Sequence, residues 1–336
     1  MPTPSAFRAF RIHNDADGYR AGVESMPLAA LSPGEVTVKT AFSSVNYKDA
    51  LAGTGKGKIL RRFPLNGGID VAGYVVESAD PAFREGDEVL VTGCGLSETR
   101  DGGFAEYVRL PAEWTIPLPT GLTLREAMAI GTAGYTAALS LFQMERNGQT
   151  PDMGPVVVTG ATGGVGMLAI NILSQAGYEV HAISGKVDKF DQLIELGATQ
   201  CISRHGLHWG QRPLEPARWA GAVDSVGSEM LAGLTRLIQP YGNIACCGLV
   251  AGADLATTVM PFIIRGVSLL GIASAGTPRP IRDAIWQHLG DDWKPARLDR
   301  IAANECDLDG LPAVFDTLLA GTASTRTVVR THAAAS

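Results

Sequence analysis

The sequence carries little charge, few cysteines and no long uninterrupted apolar segment. Only 18% of its 336 residues are charged, and the net charge is −6. This balance argues against a nucleic-acid-binding protein, because duplex affinity depends mostly on cationic surface. The five cysteines are odd in number and irregularly spaced, which favours reduced thiols over a disulfide framework. Residues 1–10 show no apolar signal core, so we expect a cytoplasmic protein.

One uncharged segment, residues 153–178, raises the question of a membrane span. Its glycines divide it into two shorter apolar runs, whereas a span needs about 20 predominantly apolar residues in succession. The pattern is therefore more typical of a strand, a turn and a helix, and we expect no membrane partner. A chain of this length favours two domains, each large enough to bury its own core.

The chain divides into three stretches with different patterns. Up to about Leu124, short alternating runs such as Val36 and Val38 predict a small, mostly β domain. Thr123 is a candidate cap for a helix that starts at Arg125, and from there strand and helix patterns alternate. This alternation predicts βαβ units around a parallel sheet covered on both faces. The segment after about Ile272 is predicted to return to the first domain.

The predicted elements of the second and third stretches are short. Strands are predicted at residues 156–159, 179–183, 200–202, 222–225, 242–247, 268–270 and 327–330. Helices are predicted at residues 164–175, 187–196, 229–238, 281–289 and 311–320.

The strongest chemical signal is a glycine turn at residues 156–166, with the sequence VVVTGATGGVG. In a dinucleotide-binding fingerprint, glycines form the tight turn, admit the pyrophosphate and let the helix pack on the strand. Gly163 and Gly166 fit the second and third roles, whereas Ala161 takes the first position and Gly160 supports the turn. A packing turn without a ligand is the alternative. The candidate diphosphate-binding residues, at the start of a positively polarised helix, are Thr162, Gly163, Gly164 and Val165.

The end of the next predicted strand distinguishes the two nicotinamide cofactors. A site for NAD places Asp or Glu there to bind the ribose 2′-hydroxyl. This chain instead has Ser184, Gly185 and Lys186, and Arg204 follows the third strand. A hydroxyl, a free N–H and cations suit a 2′-phosphate, so we predict NADPH. The alternative is that Lys186 and Arg204 are ordinary solvated charges.

Several motifs outside the glycine turn carry a family resemblance. They are VNYKD at residues 45–49, TGKGKI at 54–59, GIDVAG at 68–73 and GGFAEY at 102–107. Over residues 8–330 the chain resembles the medium-chain dehydrogenase/reductase superfamily, in particular its zinc-free, NADPH-dependent acryloyl-CoA reductase branch, often labelled quinone oxidoreductase. The resemblance implies an α/β protein with a GroES-like catalytic domain, residues 1–124 continued by 273–336, and a Rossmann dinucleotide-binding domain, residues 125–272.

The resemblance also implies that no metal is bound. Zinc-dependent relatives use Cys and His ligands in the first domain, where this chain has Asn46 and Ile69. The four-cysteine run of the structural zinc site is missing too. Cys201, His205 and His208 are closely spaced, but loop residues explain them better than a zinc site does.

Without zinc, reduction of an activated C=C bond is a more natural reaction than carbonyl chemistry. Tyr47 resembles the tyrosine that contacts the nicotinamide end of the cofactor in this branch, so its hydroxyl is a candidate for orienting the carboxamide or supplying a proton. The alternative is a partly buried core tyrosine. Asn46 and Asp70 are weaker candidates, because an Asp at this place also holds loops through backbone hydrogen bonds.

The resemblance assigns four more residues to the cofactor. It implies that Leu249, Ile263 and Ser274 line the nicotinamide pocket and that Arg326 approaches the cofactor. Leu249 and Ile263 are equally explained as core residues, and Arg326 as a surface arginine. The chain departs from the branch at Ala273, where an acid is expected, so the substrate follows less directly than the cofactor.

Three functions are compatible with the sequence, and the role of one basic cluster and the oligomeric state are open as well. The functions are an NADPH-dependent enoyl-thioester reductase, an NADPH:quinone reductase and a non-catalytic NADPH-binding protein. A basic cluster of Lys56, Lys58, Arg61 and Arg62 either steers the phosphates of coenzyme A or is a solvated loop. The strand at 268–270 would be a sheet edge, which predicts a homodimer formed edge to edge.

Overall fold

The computed structural model describes residues 4–332, which form two compact units. The first unit comprises the described residues up to Thr132, Ala275–Gly290 and those from Leu298 onwards, and the second comprises Ala133–Ser274 and Asp291–Arg297. The unit boundaries at Thr132 and Ser274 differ from the predicted domain boundaries after residues 124 and 272, which stay a prediction, and the second unit also includes Asp291–Arg297.

The described residues form strands and helices with the following bounds. The strands are β1 (Ala6–Asp15), β2 (Gly18–Pro27), β3 (Val36–Ser44), β4 (Leu65–Asn66), β5 (Asp70–Ser78), β6 (Glu88–Thr92), β7 (Tyr107–Leu110), β8 (Ile116–Pro117), β9 (Val156–Thr159), β10 (Val180–Ser184), β11 (Gln200–Ser203), β12 (Trp219–Asp224), β13 (Ile238–Cys246), β14 (Ser268–Gly271), β15 (Asn304–Cys306) and β16 (Thr327–Arg330). The α-helices are α1 (Tyr47–Thr54), α2 (Leu124–Arg146), α3 (Gly164–Gln175), α4 (Phe190–Glu195), α5 (Ser228–Leu237), α6 (Met260–Arg265), α7 (Arg279–Gly290), α8 (Leu298–Ile301) and α9 (Leu311–Leu319).

The first unit is built mainly from β-structure. One sheet has the order β15-β16-β3-β5-β6-β8, with β7 also paired to β3, and a second sheet has the order β2-β1-β4. Val36 and Val38, whose alternation predicted β3, are both fully buried. A second part of the core stacks Phe10 edge-to-face against Phe104 and Phe315, with ring centroids 6.5 and 5.6 Å apart.

The second unit contains a six-stranded parallel sheet in the order β11-β10-β9-β12-β13-β14. All four residues of β9 are buried, as expected for a central parallel strand covered on both faces. The chain runs from β9 to β11 in one direction and from β12 to β14 in the other. The strand order therefore reverses between β9 and β12, and ligands of such sheets bind outside the carboxyl ends of the strands at this place.

The α/β class with a parallel sheet is confirmed, and several element boundaries differ. The helix predicted at 187–196 begins only with α4 at Phe190, because Lys189 has a non-helical φ of −105°. The helix predicted to end at Ile238 ends at Leu237, because Ile238 pairs with Trp219 of β12 and starts β13. We did not predict β1, β2, α1 or α6, although Asp17-Gly18 is a hairpin signal.

Three observations bear on the segments discussed from sequence. Thr123 caps α2, because its Oγ1 accepts a hydrogen bond of 3.2 Å from the N–H of Glu126. The uncharged segment 153–178 contains β9 and α3, and no helix within residues 4–332 is long and apolar enough to cross a membrane. All five cysteines lie within residues 4–332, and no disulfide joins any of them there.

Candidate functional site

The glycine turn after β9 depends on two of its glycines for its shape. Gly160 has a φ of +58°, in the left-handed region, and its carbonyl accepts a 2.8 Å hydrogen bond from the N–H of Gly163. A Cβ at Gly166 would lie 2.7 Å from the Cα of Ala161, so only glycine lets α3 pack this closely on the turn. Gly160, rather than Ala161, thus supplies the conformational freedom of the tight turn.

The start of α3 presents backbone donors. Gly163 is the extended residue before the helix, and among the described residues no side chain caps the helix start. By helix geometry the N–H groups of Gly164 and Val165 have no acceptor inside the helix, and they lie at its positive end. The Oγ1 of Thr162 lies 3.2 Å from the Oγ of Ser184, which joins the turn to the end of β10. This arrangement fits an anionic diphosphate.

The predicted 2′-phosphate residues lie together in the second unit. The Oγ of Ser184, a buried residue at the end of β10, accepts a 3.0 Å hydrogen bond from the N–H of Lys186. The guanidinium of Arg204 lies over Gly185, because a Cβ at that glycine would be 2.6 Å from Arg204 Nε. The Ser184 hydroxyl and the Arg204 guanidinium therefore lie at the position where an NAD site places a carboxylate.

The predicted nicotinamide-pocket residues also lie in the second unit or at its limit. Leu249, in the loop after β13, is 66% exposed, and Ile263, on α6, is 76% exposed. The alternative interpretation as core residues is therefore wrong for both. Ser274 is half-buried and begins a short 3-10 turn after β14.

Tyr47 is the first residue of α1 and lies in the first unit. Its side chain is 46% exposed, so the alternative of a core tyrosine is wrong. The helix start is fixed by the buried Asp49, whose carboxylate accepts hydrogen bonds from the N–H groups of Asn46 at 2.8 Å and Ile69 at 3.0 Å. Tyr47 is thus an accessible aromatic hydroxyl on a firmly anchored turn.

Asp70 is fully buried and accepts hydrogen bonds from several groups at once. Its carboxylate is bonded by the hydroxyls of Ser44 at 2.6 Å and Thr132 at 2.5 Å, and by Asn46 Nδ2 at 2.8 Å. The N–H of Thr132 donates as well, at 3.0 Å. The alternative for Asp70, holding a loop through backbone hydrogen bonds, accounts for the N–H of Thr132, whereas side chains supply the other three donors.

Arg326 is buried beside Asp70, with only 5% of its surface exposed, so the surface-arginine alternative is wrong. Its Nε donates to the carbonyl of Ala129 at 2.9 Å, its Nη2 to Ser44 Oγ at 3.1 Å and its Nη1 to Asn46 Oδ1 at 3.4 Å. Asn46 thus connects Arg326 to the start of α1, where Tyr47 lies. Its approach to the cofactor stays a prediction.

Gly131 interrupts α2 next to these side chains. It has a φ of +50°, and a Cβ there would lie 2.6 Å from Asp70 Oδ2 and 2.8 Å from Arg326 Nη2. The break frees the N–H of Thr132 for Asp70. We call Ser44, Asn46, Asp49, Asp70, Thr132 and Arg326 the buried polar cluster, in which Asn46 and Thr132 are half-buried and the other four are buried.

Burial shifts the pKa values of two members of the buried polar cluster. It raises the pKa of Asp49 to about 7, with the charge of Asp70 acting in the same direction and the hydrogen bonds from Asn46 and Ile69 opposing it. Burial lowers the pKa of Arg326, while the carboxylates of Asp70 and Asp49 oppose that shift.

Comparison with known proteins identifies the family. The model of the alcohol dehydrogenase GroES-like domain matches residues 32–120, and that of the zinc-binding dehydrogenases matches residues 164–288. The putative quinone oxidoreductase YhfP of Bacillus subtilis is 44% identical, over 96% of this chain and 98% of its own. The probable acrylyl-CoA reductase AcuI of Escherichia coli is also 44% identical, over 93% of this chain and 96% of its own.

The chain belongs to the medium-chain dehydrogenase/reductase superfamily. The predicted resemblance is therefore confirmed. Among solved structures, the yhdH oxidoreductase of Salmonella enterica in complex with NADP has a TM-score of 0.93 and 43% identity, over 97% of this chain and 100% of its own. Bacillus subtilis yhfP with NAD bound has a TM-score of 0.94 and 43% identity, with the same coverage.

The positions at which zinc-dependent relatives carry Cys and His ligands hold Asn46 and Ile69 in this chain. Among residues 4–332, no group of three or more His, Cys, Asp or Glu side chains could hold a metal ion. Cys201 lies on β11, and His205 and His208 are exposed in the loop that follows it. The carboxylates of the buried polar cluster are occupied by N–H and O–H donors instead.

Proposed function

We propose that the protein is an NADPH-dependent reductase that saturates the C=C bond of a short enoyl thioester, converting acryloyl-CoA to propanoyl-CoA. The observation that carries this proposal is the 44% identity to a probable acrylyl-CoA reductase over 93% of the chain. The local geometry of the second unit supports the cofactor, and the half-exposed Tyr47 supports a role for the first unit in the chemistry.

The residues of the second unit fit NADPH. Thr162, Gly163, Gly164 and Val165 would hold the diphosphate through backbone N–H groups and a hydroxyl. The 2′-phosphate would be held by Ser184, Gly185, Lys186 and Arg204, and Leu249, Ile263 and Ser274 would line the nicotinamide pocket. When bound, NADPH supplies the hydride that adds to the β-carbon of the thioester.

The protein's own side chains then have two tasks. One is to donate hydrogen bonds to the thioester oxygen, where negative charge develops, and the other is to deliver a proton to the α-carbon. Tyr47 is our candidate for the proton or for orienting the carboxamide, because it is accessible and lies on an anchored helix start. Arg326 acts through Asn46 to hold that start in place.

A second candidate function is NADPH:quinone reduction, which the name of the relative YhfP favours. The experiment follows NADPH oxidation with acryloyl-CoA, with a quinone and with no acceptor. Turnover of acryloyl-CoA with formation of propanoyl-CoA supports the first function. Turnover of the quinone alone would support the second function instead. Binding of NADPH without turnover of either acceptor would reject both functions.

We also propose a cytoplasmic homodimer. Within the part of the chain that the structure describes, β14 pairs with β13 alone and ends the parallel sheet of the second unit. Apolar side chains near this edge are exposed, including Leu269 at 37%, Tyr241 at 77% and Ile264 at 61%. An edge of this kind favours pairing with a second chain. Light scattering at micromolar concentration tests it, and a clean monomer would reject it.

A further inference from the structure

Asp224 is a fully buried carboxylate at the carboxyl end of β12. It accepts a 2.6 Å hydrogen bond from Thr159 Oγ1 at the end of the neighbouring strand β9. It also accepts hydrogen bonds from the N–H of Gly227 at 2.8 Å and, more weakly, from the N–H of Val226 at 3.4 Å. Every partner is a donor, so the carboxylate serves as an acceptor at the place where the strand order reverses.

Thr159 links Asp224 to the glycine turn, because it immediately precedes Gly160. Its Oγ1 accepts a 3.2 Å hydrogen bond from the N–H of Ser225, and its carbonyl accepts one of 3.1 Å from Ser225 Oγ. A Cβ at Gly160 would lie 2.5 Å from Ser225 Oγ. These contacts therefore fix the distance between the turn after β9 and the loop after β12.

The loop after β13 is attached to the same place. The carbonyl of Asp224 accepts a 2.9 Å hydrogen bond from the N–H of Cys247, and the carbonyl of Val226 accepts one of 2.9 Å from the N–H of Ala251. A Cβ at Gly248 would lie 2.7 Å from the carbonyl carbon of Ser225. The exposed Leu249 thus lies on a loop whose backbone packs against the backbone of the loop that Asp224 holds.

The loop after β12 adopts a conformation that needs such support. Gly227 has a φ of +77° and Ser228, which is not glycine, has a φ of +52°. A positive φ at two successive residues is uncommon unless the surroundings hold the backbone there. The hydrogen bond from the N–H of Gly227 to Asp224 and the β-bridge between Gly227 and Gly252 hold the backbone at this point.

Resting on the NADPH site proposed above, we infer that Asp224 is a positioning residue for the nicotinamide half of the cofactor. The 2′-phosphate residues follow β10, on one side of β9, whereas the loops that Asp224 holds follow β12 and β13, on the other side. A cofactor whose diphosphate lies at the glycine turn therefore has its adenosine half toward β10 and its nicotinamide half toward the Asp224 loops.

The experiment separates the two halves of the ligand. Calorimetry measures the affinity of Asp224→Ala and Asp224→Asn for NADPH and for 2′,5′-ADP, which contains only the adenosine half. We expect Asp224→Ala to weaken NADPH binding about tenfold or more, since an unpaired buried N–H and hydroxyl let the loops relax. Binding of 2′,5′-ADP should change by less than about twofold.

The conservative variant Asp224→Asn should restore part of the effect. Its amide oxygen can still accept from the N–H of Gly227 while its amide nitrogen donates to Thr159, so its NADPH affinity should fall between those of the wild type and Asp224→Ala. Steady-state assays with acryloyl-CoA should show a raised KM for NADPH in Asp224→Ala. Thr159→Val removes one hydrogen bond from the same carboxylate and provides the test if Asp224→Ala does not fold.

Asn243→Ala is the matched control, because Asn243 is fully buried in the same sheet and donates to Gln149 Oε1 at 3.1 Å. Asn243→Ala should lower stability, but it should not change the affinity for NADPH relative to the affinity for 2′,5′-ADP. Equal weakening of both ligands by the Asp224 variants, or unchanged NADPH affinity in Asp224→Ala, overturns the inference. If the wild type binds neither ligand, the proposed function fails instead, and the two failures are thereby distinguished.

Discussion

The guanidinium of Arg204 lies so close to the backbone of Gly185 that a Cβ added at position 185 would be 2.6 Å from Arg204 Nε. This proximity brings the cation to the end of β10 beside Ser184. A 2′-phosphate needs several donors at once, and a guanidinium binds a phosphate through two parallel N–H groups. The absence of a carboxylate at residues 184–186 removes the repulsion that an NAD site would exert.

The first prediction concerns cofactor preference. Lys186→Ala and Arg204→Ala should each raise the KM for NADPH by about tenfold or more, because each removes a charge-assisted contact to the 2′-phosphate. The KM for NADH, which lacks that phosphate, should change little. Steady-state kinetics with both cofactors measures the difference. Arg212→Ala is the control, because Arg212 is exposed and pairs with Glu215. Equal effects on NADPH and NADH would remove the assignment.

The cofactor-binding unit could be predicted from sequence because its signals are local. A strand, a glycine turn and a helix follow one another within residues 156–175, and the 2′-phosphate candidates come at the ends of the next two strands. In a parallel sheet all such ends lie at one edge, so sequence order alone brings them together. Only the roles of single glycines, such as Gly160 in place of Ala161, needed the structure.

The buried polar cluster could not be predicted in the same way. Ser44, Asp70 and Arg326 come from distant parts of the chain, and only the pairing of β16 with β3 and of β3 with β5 brings them together. In the sequence, an arginine and an aspartate look the same whether they lie at the surface or form a buried pair. The motif around Asn46 and Asp70 did point to this region, yet it gave no indication that Gly131 interrupts α2 there.

The second prediction concerns Tyr47. Tyr47→Phe keeps the ring and removes the hydroxyl, so its effect isolates the role of the O–H group. If the hydroxyl supplies the proton, kcat should fall by about 100-fold or more, and if it only orients the carboxamide, the KM for NADPH should rise instead. Tyr74→Phe is the control, because Tyr74 is 43% exposed against 46% for Tyr47 and lies on β5. Unchanged turnover and cofactor affinity would dismiss both roles.

The third prediction concerns the pH dependence of stability. The pKa of Asp49 is raised to about 7 in the folded protein from an ordinary value of 3.8, so between these values the folded state holds a proton that the unfolded state has lost. The free energy of unfolding contributed by this group should therefore be largest at low pH and fall as pH rises toward 7, by up to about 1.4 kcal/mol per pH unit.

Urea unfolding measured between about pH 4.5 and about pH 7.5 tests this sign. Asp49→Asn cannot ionise and should flatten the slope, even though the new amide places a donor against the N–H of Asn46 or Ile69 and lowers stability overall. Asp17→Asn, at an exposed turn, should leave the slope as it is in the wild type. A slope that survives in Asp49→Asn would show that another group binds the proton.

The fourth prediction concerns the basic cluster that follows α1. Lys56, Lys58, Arg61 and Arg62 are exposed, and Arg62 Nη2 donates a 2.8 Å hydrogen bond to Ser32 Oγ. If this cluster attracts the phosphates of coenzyme A, the KM for acryloyl-CoA should rise several-fold as ionic strength increases from about 10 mM to about 200 mM. A thioester of acrylate with N-acetylcysteamine carries no phosphate and should show no such dependence.

Charge removal separates this attraction from a general effect of salt on the enzyme. The double variant Lys56→Gln, Lys58→Gln should raise the KM for acryloyl-CoA at low salt and weaken its salt dependence, while the KM for the N-acetylcysteamine thioester stays constant. Arg300→Gln removes a cation whose side chain is 69% exposed on α8 and should change neither KM. A KM for acryloyl-CoA that is independent of salt in the wild type would identify the cluster as a solvated loop, because screened attraction between exposed charges always weakens with added salt.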